Sequence, residues 1–590
     1  MKKATAEGGH PPLRRAVRAA KADWVAVGAF SFGVNFLMLT GPIFMLQVYD
    51  RVLTSRSIPT LTVLWVLMGA LFAFLALFTF FRKRLLSRVG YRIDSDLMVG
   101  AQKIRVLQGL TAGRSPANPV QDLARVRQFI GSTGVTSFFD LPWTPIFIGV
   151  VFYLHMWLGW FTVAGVVLIT IFTIASELLT KNPIREASKW DVESSNVSDS
   201  ARKNAESIVS MGMMGNVLTH WEGLRRNSLG ESQKAASATE TFSSITRGIR
   251  LFLQSSILGL GAYLAVYQII TPGMMIAASI IGGRALSPID QVIGNWRNFV
   301  SSRQAYNRLN ILMEGMGEAK DMMALPDPEG HLEVQNLFKS KPGGEGEAIL
   351  QGLQFSLQPG DALGVVGPSA SGKSSLARLL VGIWMPDRGS VRLDGATYDQ
   401  WDTEALGKHI GYLPQNATLL RGTIKANISR FDPEAKDEDI ITAAKMADVH
   451  HLITSLPGGY EAIIDQSVVL SGGQVQRIAL ARALYGGPAL VILDEPNSNL
   501  DAEGDAALTR AITALREAGK TSIIMAHRPS AIAAVNKLLM IRDGRQVEFG
   551  DKAEVLQKVT KQSNLQPAQA VAAPAQPSKT ANFTLKPKNQ

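Results

Sequence analysis

Two long runs without a charged residue dominate the beginning of the chain. Trp24–Tyr49 and Ser57–Phe81 contain no Asp, Glu, Lys or Arg. A helix rises about 1.5 Å per residue, so about 20 apolar residues are enough to cross the hydrocarbon core of a bilayer. A buried helix of a soluble protein rarely stays uncharged over such a length. The sequence therefore predicts two membrane-spanning helices here.

Two later uncharged runs, residues 141–176 and 251–283, are each too long for a single span. Aromatic residues mark membrane interfaces, and Gly and Pro mark breaks. A turn at His155–Gly159 would divide the first run, and a turn at Thr271–Gly273 would divide the second. The four runs together predict six membrane spans.

The charge balance supports this topology. The chain has 60 Lys+Arg against 49 Asp+Glu, a net charge of +11, of which residues 1–320 contribute +14 and the rest −3. Basic residues precede the first span and follow the second, whereas the two predicted turns carry none. The positive-inside rule then places both termini in the cytoplasm and the Tyr49–Arg51 loop outside. No basic stripe interleaves with aromatic residues, which disfavours a nucleic-acid binder.

The absence of cysteine excludes whole classes of chemistry. A disulfide framework, a thiol nucleophile, an iron–sulfur cluster and a cysteine-ligated zinc site all require this residue.

Two polar connectors, about 82–130 and 178–248, are too long for simple loops and are predicted to be helices that project into the cytoplasm. Gly113–Pro116 and Met211–Gly215 interrupt them, either as tips of helical hairpins or as ordinary turns. Three charged residues fall inside the predicted spans and either line a protein-walled passage or form structural pairs. They are Asp140, Arg284 and Asp290, and Asp290 lies seven residues before Arg297, on the same helical face.

The second half of the chain changes its hydrophobic period to short apolar runs alternating with helical patterns, which predicts an α/β domain with a largely parallel sheet. The sequence GPSASGKS, residues 367–374, follows one of these runs. Glycines let backbone N–H groups surround phosphate oxygens at a helix N-terminus. Lys373 would reach the β- and γ-phosphates, and the Ser374 hydroxyl would ligate Mg²⁺.

A second buried strand, residues 489–493, ends in two carboxylates. Asp494 is placed to hold Mg²⁺, and Glu495 is the natural general base for an attacking water. Between the two motifs, Leu470–Gln474 offers another small-residue turn at the start of a helix. One nucleotide does not need two such phosphate-binding turns in one chain, so this turn is predicted to contact the γ-phosphate bound to a second copy.

These motifs resemble the ATP-binding-cassette (ABC) ATPases. By that resemblance, Gln415 senses Mg²⁺ and the attacking water, Asp501 contacts the facing subunit, and His527 touches the γ-phosphate. The family pattern thus gives Glu495, His527 and Gln415 catalytic roles and makes Ser374, Gln415 and Asp494 the metal ligands. It implies a nucleotide-binding set of Gly367, Ser369, Gly372, Lys373, Ser374, Ser375, Ser471, Gly473 and Asp501.

Two features depart from the family pattern. No tyrosine is available near residues 337–341 to stack on adenine, and Phe338 is the nearby aromatic residue. In the family, an acidic, glycine-containing segment precedes the signature turn, which is Leu470–Gln474 here; in this chain that segment is replaced by Ile464–Val468, in which Asp465 is the acidic substitute.

The predicted fold is an α-helical six-span transmembrane domain of the ABC exporter type fused to an α/β nucleotide-binding domain. The four predicted parts are a cytoplasmic N-terminal segment, the six-span domain with two cytoplasmic helical extensions, the ATP-binding cassette and a disordered tail. Their boundaries are 1–23, 24–320, 321–558 and 559–590.

The membrane half resembles the type I secretion exporters, in particular the alkaline-protease and S-layer type without an N-terminal peptidase-like domain. The resemblance rests on FMLQVYDRVLTSRS at 44–57, FDLPWTP at 139–145 and GRALSPID at 283–290. It implies a homodimer in the bacterial inner membrane that uses ATP and Mg²⁺ to export an unfolded protein with an uncleaved C-terminal signal. The implied partners are a periplasmic membrane-fusion adaptor, a TolC-like outer-membrane channel and a secreted substrate of the RTX or S-layer type. An exporter of lipids or small molecules shares every cassette motif and stays the alternative.

Overall fold

The computed structural model describes residues 12–110, 118–315, 325–341, 346–464, 469–498, 500, 502–526 and 532–564. The chain divides into two compact units, residues 1–319 and 320–590. The described part of the first unit is helical, and that of the second combines helices with one sheet.

The first unit is built from long helices joined by short breaks. A π-helical turn, Val48–Val52, continues the third helix, and a 3-10 turn, Leu141–Trp143, links the seventh to the eighth. In chain order the helices are α1 Pro12–Ala19, α2 Lys21–Leu37, α3 Thr40–Gln47, α4 Leu53–Ser55, α5 Ile58–Gln108, α6 Pro119–Ile130, α7 Thr133–Asp140, α8 Thr144–Leu154, α9 Met156–Lys203, α10 Ala205–Ser210, α11 Met214–Val266, α12 Pro272–Gly294 and α13 Trp296–Glu314.

Within the described ranges, five helical stretches are long and apolar enough to cross a membrane. They are Lys21–Ser55, Ile58–Gln108, Thr133–Leu154, Met156–Lys203 and Met214–Val266. The predicted sixth span is also helical, as α12, but it carries Arg284 and Asp290 and is not among these five. The sixth span therefore stays a prediction.

The predicted loop at Tyr49–Arg51 is wrong. These residues lie in the π-helical turn, and helical structure continues to Ser55 because no Gly or Pro interrupts it. The chain instead turns at Arg56, which has φ 52°. Asp50 then caps another helix: its carboxylate accepts hydrogen bonds from Thr271 Oγ1 at 2.6 Å and from the Gly273 N–H at 2.8 Å, at the beginning of α12.

The break predicted at His155–Gly159 falls at His155, whose side chain caps α9. The second connector breaks between Ser210 and Met214, around Gly212 with φ 65°. Helices α9 and α11 pack against each other on either side of this break. The other predicted tip, at 113–116, lies outside the described residues.

The second unit contains a sheet in which a parallel half adjoins an antiparallel half. Its strands are β1 Leu332–Ser340, β2 Ala348–Leu357, β3 Ala362–Val366, β4 Arg388–Leu393, β5 Ala396–Thr397, β6 Ile410–Leu413, β7 Leu490–Asp494, β8 Thr521–Ala526, β9 Lys537–Arg542 and β10 Arg545–Asp551. The strand order is β5-β4-β1-β2-β10-β9-β3-β8-β7-β6. Strands β9, β3, β8, β7 and β6 are parallel, as predicted. The antiparallel pairs among β1, β2, β4, β5, β9 and β10 were not foreseen.

Helices cover the sheet of the second unit and bury two apolar clusters against it. The last helix includes residues 559–564, so this first part of the predicted disordered tail is helical, and later residues lie outside the described ranges. The helices are α14 Lys373–Leu380, α15 Thr403–His409, α16 Ile424–Ile428, α17 Asp437–Met446, α18 His450–Ser455, α19 Gly472–Leu484, α20 Ala502–Glu517 and α21 Lys552–Asn564.

Candidate functional site

The predicted nucleotide site lies where neighbouring parallel strands end. Strands β3, β8, β7 and β6 are adjacent in the sheet and run in one direction, so their carboxyl ends share one edge. The loop 367–374 follows β3, Asp494 ends β7, and Gln415 comes two residues after β6. The crevice outside the carboxyl ends of parallel strands is the usual ligand site of such sheets.

Close packing explains the two glycines of this loop. A Cβ at Gly367 would lie 2.3 Å from the carbonyl oxygen of Ile541, and one at Gly372 would lie 2.6 Å from Leu350 Cδ2. Gly372 also has φ 100°, a conformation that side chains rarely adopt. Directly after it, Lys373 begins α14, and its Nζ donates to the carbonyls of Gly367 at 2.7 Å and Pro368 at 3.0 Å. The loop therefore holds an ammonium group at the N-terminus of a helix.

Hydroxyl groups complete the loop. Ser369 is exposed, and Ser375 is half-buried in the first turn of α14. The Oγ of Ser371 is buried without a hydrogen-bond partner in the described part of the chain. A buried hydroxyl beside free helix-terminal N–H groups suits an anionic oxygen. These donors therefore fit the phosphates of ATP. No role for Ser371 was predicted from the sequence. The buried Oγ without a hydrogen-bond partner points to such a role, and only the structure reveals it.

Ser374 and Asp494 are brought together from different elements. The Ser374 hydroxyl donates to Asp494 Oδ1 at 3.2 Å, and Asp494 is buried, with 3% of the residue exposed. Burial raises the pKa of the Asp494 carboxyl above its usual value, and the hydrogen bond from Ser374 offsets this rise only in part. A buried carboxylate is costly unless a cation or a metal ion compensates its charge. Mg²⁺ is usually bound by one or two carboxylates together with substrate phosphates, so this pair fits it.

Glu495 lies next to this pair in an unusual backbone conformation. Its φ is 50°, and its N–H donates to the Met525 carbonyl at 3.1 Å. Such a conformation costs about 1–3 kcal/mol in a non-glycine residue and is concentrated at functional sites. The Nε2 of Gln415 donates to Glu495 Oε2 at 2.9 Å. The structure thus brings Gln415 to the predicted general base, and its role as a metal ligand stays a prediction.

The signature turn, Leu470–Gln474, forms the N-terminus of α19. Ser471 caps α19: its Oγ accepts from the Gln474 N–H at 3.4 Å, and Gln474 Oε1 accepts from the Ser471 N–H at 2.9 Å. Ser471 is exposed and Gly473 is half-buried. The first N–H groups of a helix have no partner within it and remain available to an anion.

Three predicted residues lie outside the described part of the chain, namely Asp501, His527 and Asp465. Phe338 is half-buried on β1.

Two of the charged residues predicted inside the spans form ion pairs with residues on other helices. Asp140 forms an ion pair with Arg82 at 2.8 Å. Asp290 lies 3.7 Å from Arg250 on α11, whereas Arg297 donates to Ser232, so the suggested Asp290–Arg297 pair is wrong. Asp290 lies on α12 and Arg297 lies beyond the end of that helix, on α13, so the two residues do not share one continuous helical face.

Comparisons with known proteins agree with this geometry. The family described as ABC transporter transmembrane region matches residues 24–281, and the family described as ABC transporter matches residues 350–498.

Several curated proteins are similar along nearly the whole chain. The type I secretion system ATP-binding protein PrsD of Rhizobium meliloti (strain 1021) is 41% identical over 576 residues, which cover 97% of this chain and 99% of that protein. The alpha-hemolysin translocation ATP-binding protein HlyB of Escherichia coli O157:H7 is 28% identical, with coverage of 90% of this chain and 76% of that protein. Among solved structures, a bacterial Atm1-family ABC exporter with ATP bound superposes with a TM-score of 0.78 at 21% identity, covering 93% of this chain and 99% of the other, which shows a shared fold.

Proposed function

Because this chain belongs to the ATP-binding proteins of type I secretion systems, which are ABC transporters, we propose that it couples ATP hydrolysis to the export of a protein across the bacterial inner membrane. The observation that carries this proposal is the joint placement of the phosphate loop, Asp494 and Glu495 beside one another in a chain with a membrane unit. In this proposal, ATP hydrolysis supplies the free energy for export, and the membrane unit provides the path of the exported protein across the bilayer.

The residues of the site divide the chemistry among them. Lys373 and the N–H groups of the loop bind the β- and γ-phosphates and balance their charge. Ser374 and Asp494 would hold Mg²⁺, which neutralises charge that develops on the phosphates. Glu495 accepts a proton from the attacking water, and Gln415 fixes the orientation of its carboxylate through the 2.9 Å hydrogen bond. His527, which follows β8 in the sequence, is proposed to contact the γ-phosphate.

Two copies are required for complete sites in this proposal. Ser471 and the N–H group of Gly473 would contact the γ-phosphate bound to the other copy, and Asp501 would contact that copy directly. The exposed, capped start of α19 supports this role. Closure of the two nucleotide-binding units around ATP would then drive rearrangement of the spans.

The proposed substrate is an unfolded polypeptide with an uncleaved C-terminal signal, of the RTX or S-layer type. Relatives named for alpha-hemolysin and cyclolysin secretion support a protein substrate. The proposed partners are a second copy of the chain, a periplasmic membrane-fusion adaptor and a TolC-like outer-membrane channel. Both termini are proposed to lie in the cytoplasm, because the basic flanks of the first two spans lie there by the positive-inside rule.

Glu495→Gln tests the hydrolytic role. The amide keeps the size and a hydrogen-bond acceptor but cannot take the proton, so turnover should fall by about 10²–10⁴-fold. ATP binding should remain, and ATP-bound dimers should accumulate on size-exclusion chromatography. Near-normal ATPase activity in this variant would contradict the assignment.

The substrate class is tested by the ATPase rate of the purified protein. A peptide from the C-terminus of the secreted protein should change this rate, whereas a scrambled peptide of equal composition should not. Stimulation by lipid alone would favour the alternative exporter.

A further inference from the structure

A buried glutamine lies on α19, the helix that begins at the signature turn. Gln476 lies on α19, five residues after the capping Ser471, and is 3% exposed. A glutamine amide has two N–H donors and is rarely buried unless they are used. Its Nε2 donates to the carbonyl oxygen of Pro496, the residue that follows the general base.

The turn that receives this hydrogen bond is the one that holds Glu495. The N–H of Ser498 donates to the Glu495 carbonyl at 3.2 Å, which closes the turn around Pro496. Within it, Glu495 keeps φ 50°, which persists only when surrounding contacts fix it. Pro496 is buried, so water cannot replace the amide of Gln476 at its carbonyl.

We propose that Gln476 is a positioning residue for hydrolysis: it fixes the turn that carries Glu495 and joins this turn to the signature helix. The inference rests on the proposed function, in which the signature turn of one chain contacts the ATP of the other copy. The N-terminus of α19 then contacts the nucleotide bound to the other copy. Gln476 lies about 7.5 Å further along the helix axis and connects this N-terminus to the chain's own general base.

This role makes a distinct kinetic prediction. The Gln476 amide acts on the carbonyl of Pro496, in the turn that carries the general base and not in the phosphate loop, so its loss should affect turnover more than ATP binding. Loss of the amide should lower kcat at least tenfold and leave KM for ATP within twofold of the unaltered protein. Any cooperativity between the two sites should fall, with the Hill coefficient approaching 1.

The experiment uses the purified full-length protein with three variants of this residue. Gln476→Leu removes the donor, Gln476→Glu keeps the size but replaces the N–H group by an acceptor oxygen, and Gln476→His restores a ring N–H donor. The first two should lose turnover and the third should recover at least part of it. Turnover is normalised to the number of ATP molecules bound per chain, so unfolded protein does not count.

Asn536→Ala is the matched control. The Asn536 amide donates to Asp361 Oδ1 at 2.8 Å and accepts from the Ala362 N–H at 2.7 Å, at the amino end of β3 and away from the catalytic edge. It should lower the melting temperature without separating kcat from KM.

Two results would overturn the inference: an unchanged normalised kcat in Gln476→Leu, or equal effects of the leucine, glutamate and histidine variants. Glu495→Gln separates this failure from that of the proposed function. If Glu495→Gln abolishes turnover while Gln476→Leu does not, only the positioning role is wrong; if Glu495→Gln retains turnover, the hydrolytic proposal itself fails.

Discussion

The ion pair between Arg82 and Asp140 offers a quantitative test of how the membrane unit is held together. Arg82 Nη1 on α5 lies 2.8 Å from Asp140 Oδ1 at the end of α7, and the side chains are only 7% and 13% exposed. Asn35 on α2 donates to the same oxygen at 2.7 Å. One carboxylate therefore joins three helices from the first three predicted spans.

Replacing Arg82 by Met keeps most of the side-chain volume and removes the cation. The Asp140 carboxylate would remain buried with Asn35 as its donor, and breaking a buried pair in this way costs about 3–5 kcal/mol. For a unit of this size, 1 kcal/mol shifts the melting midpoint by about 2 °C, so a decrease of about 6–10 °C is expected. The double variant Arg82→Met/Asp140→Leu removes both charges and should recover most of that loss, because apolar replacement of a buried pair is often neutral or stabilising.

The assay heats the purified protein in detergent and measures the folded fraction by size-exclusion chromatography, with secretion measured in cells. A wild-type midpoint for Arg82→Met, or a double variant no more stable than the single one, would refute the reasoning. Secretion decides between the two roles left open by the sequence. A double variant that is stable and secretes identifies a structural pair, whereas one that is stable and does not secrete places these charges in the passage.

Three further predictions concern the nucleotide-binding unit. Lys373→Ala should weaken ATP binding at least tenfold in a fluorescent-nucleotide titration and abolish secretion, because the phosphates lose their ammonium partner; unchanged binding would contradict the role of the loop. Gly367→Ala should also lose ATP binding while the circular dichroism spectrum is kept, because the new Cβ would lie 2.3 Å from the Ile541 carbonyl oxygen and the loop must shift. Burial raises the pKa of Asp361, but hydrogen bonds, chiefly from Lys537, outweigh this and hold the pKa below its ordinary 3.8. A carboxyl whose pKa is lower in the folded than in the unfolded protein stabilises the fold at pH values above its unfolded-state pKa, and this stabilisation is lost as the pH falls through its folded-state pKa. The melting temperature should therefore fall less steeply below about pH 4 in Asp361→Asn than in the unaltered protein. Identical slopes of melting temperature against pH would contradict this.

The placement of the proposed ATP-site residues was largely predictable from sequence, because they occupy fixed positions after strand ends. A buried strand followed by Gly367–Ser374, and another ending in Asp494, define both the chemistry and the edge of the sheet where it occurs. The distances between these residues could not be predicted. They depend on which strands are neighbours, and the adjacency of β3, β8, β7 and β6 is a property of the whole sheet.

Long-range polar contacts were the least predictable feature. Asp290 pairs with Arg250 on another helix rather than with Arg297 on the adjoining one, and no periodicity marks that choice. Asp50 caps α12 although it lies more than two hundred positions before that helix in the sequence. Helical spacing reports which side chains share a face, but partner choice is decided by which helices pack together.

The geometry around Glu495 separates nucleotide binding from turnover. The phosphate loop is fixed by packing of Gly367 and Gly372 against neighbouring elements, whereas the strained turn of Glu495 is held by hydrogen bonds. Two glutamine amides reach this region from different directions, Gln415 at the carboxylate and Gln476 at the following carbonyl. Substitutions that relax the turn should therefore lower kcat with ATP affinity intact, whereas substitutions in the loop should lower the affinity for ATP. With this separation, the binding and the hydrolysis of ATP can be controlled by different contacts.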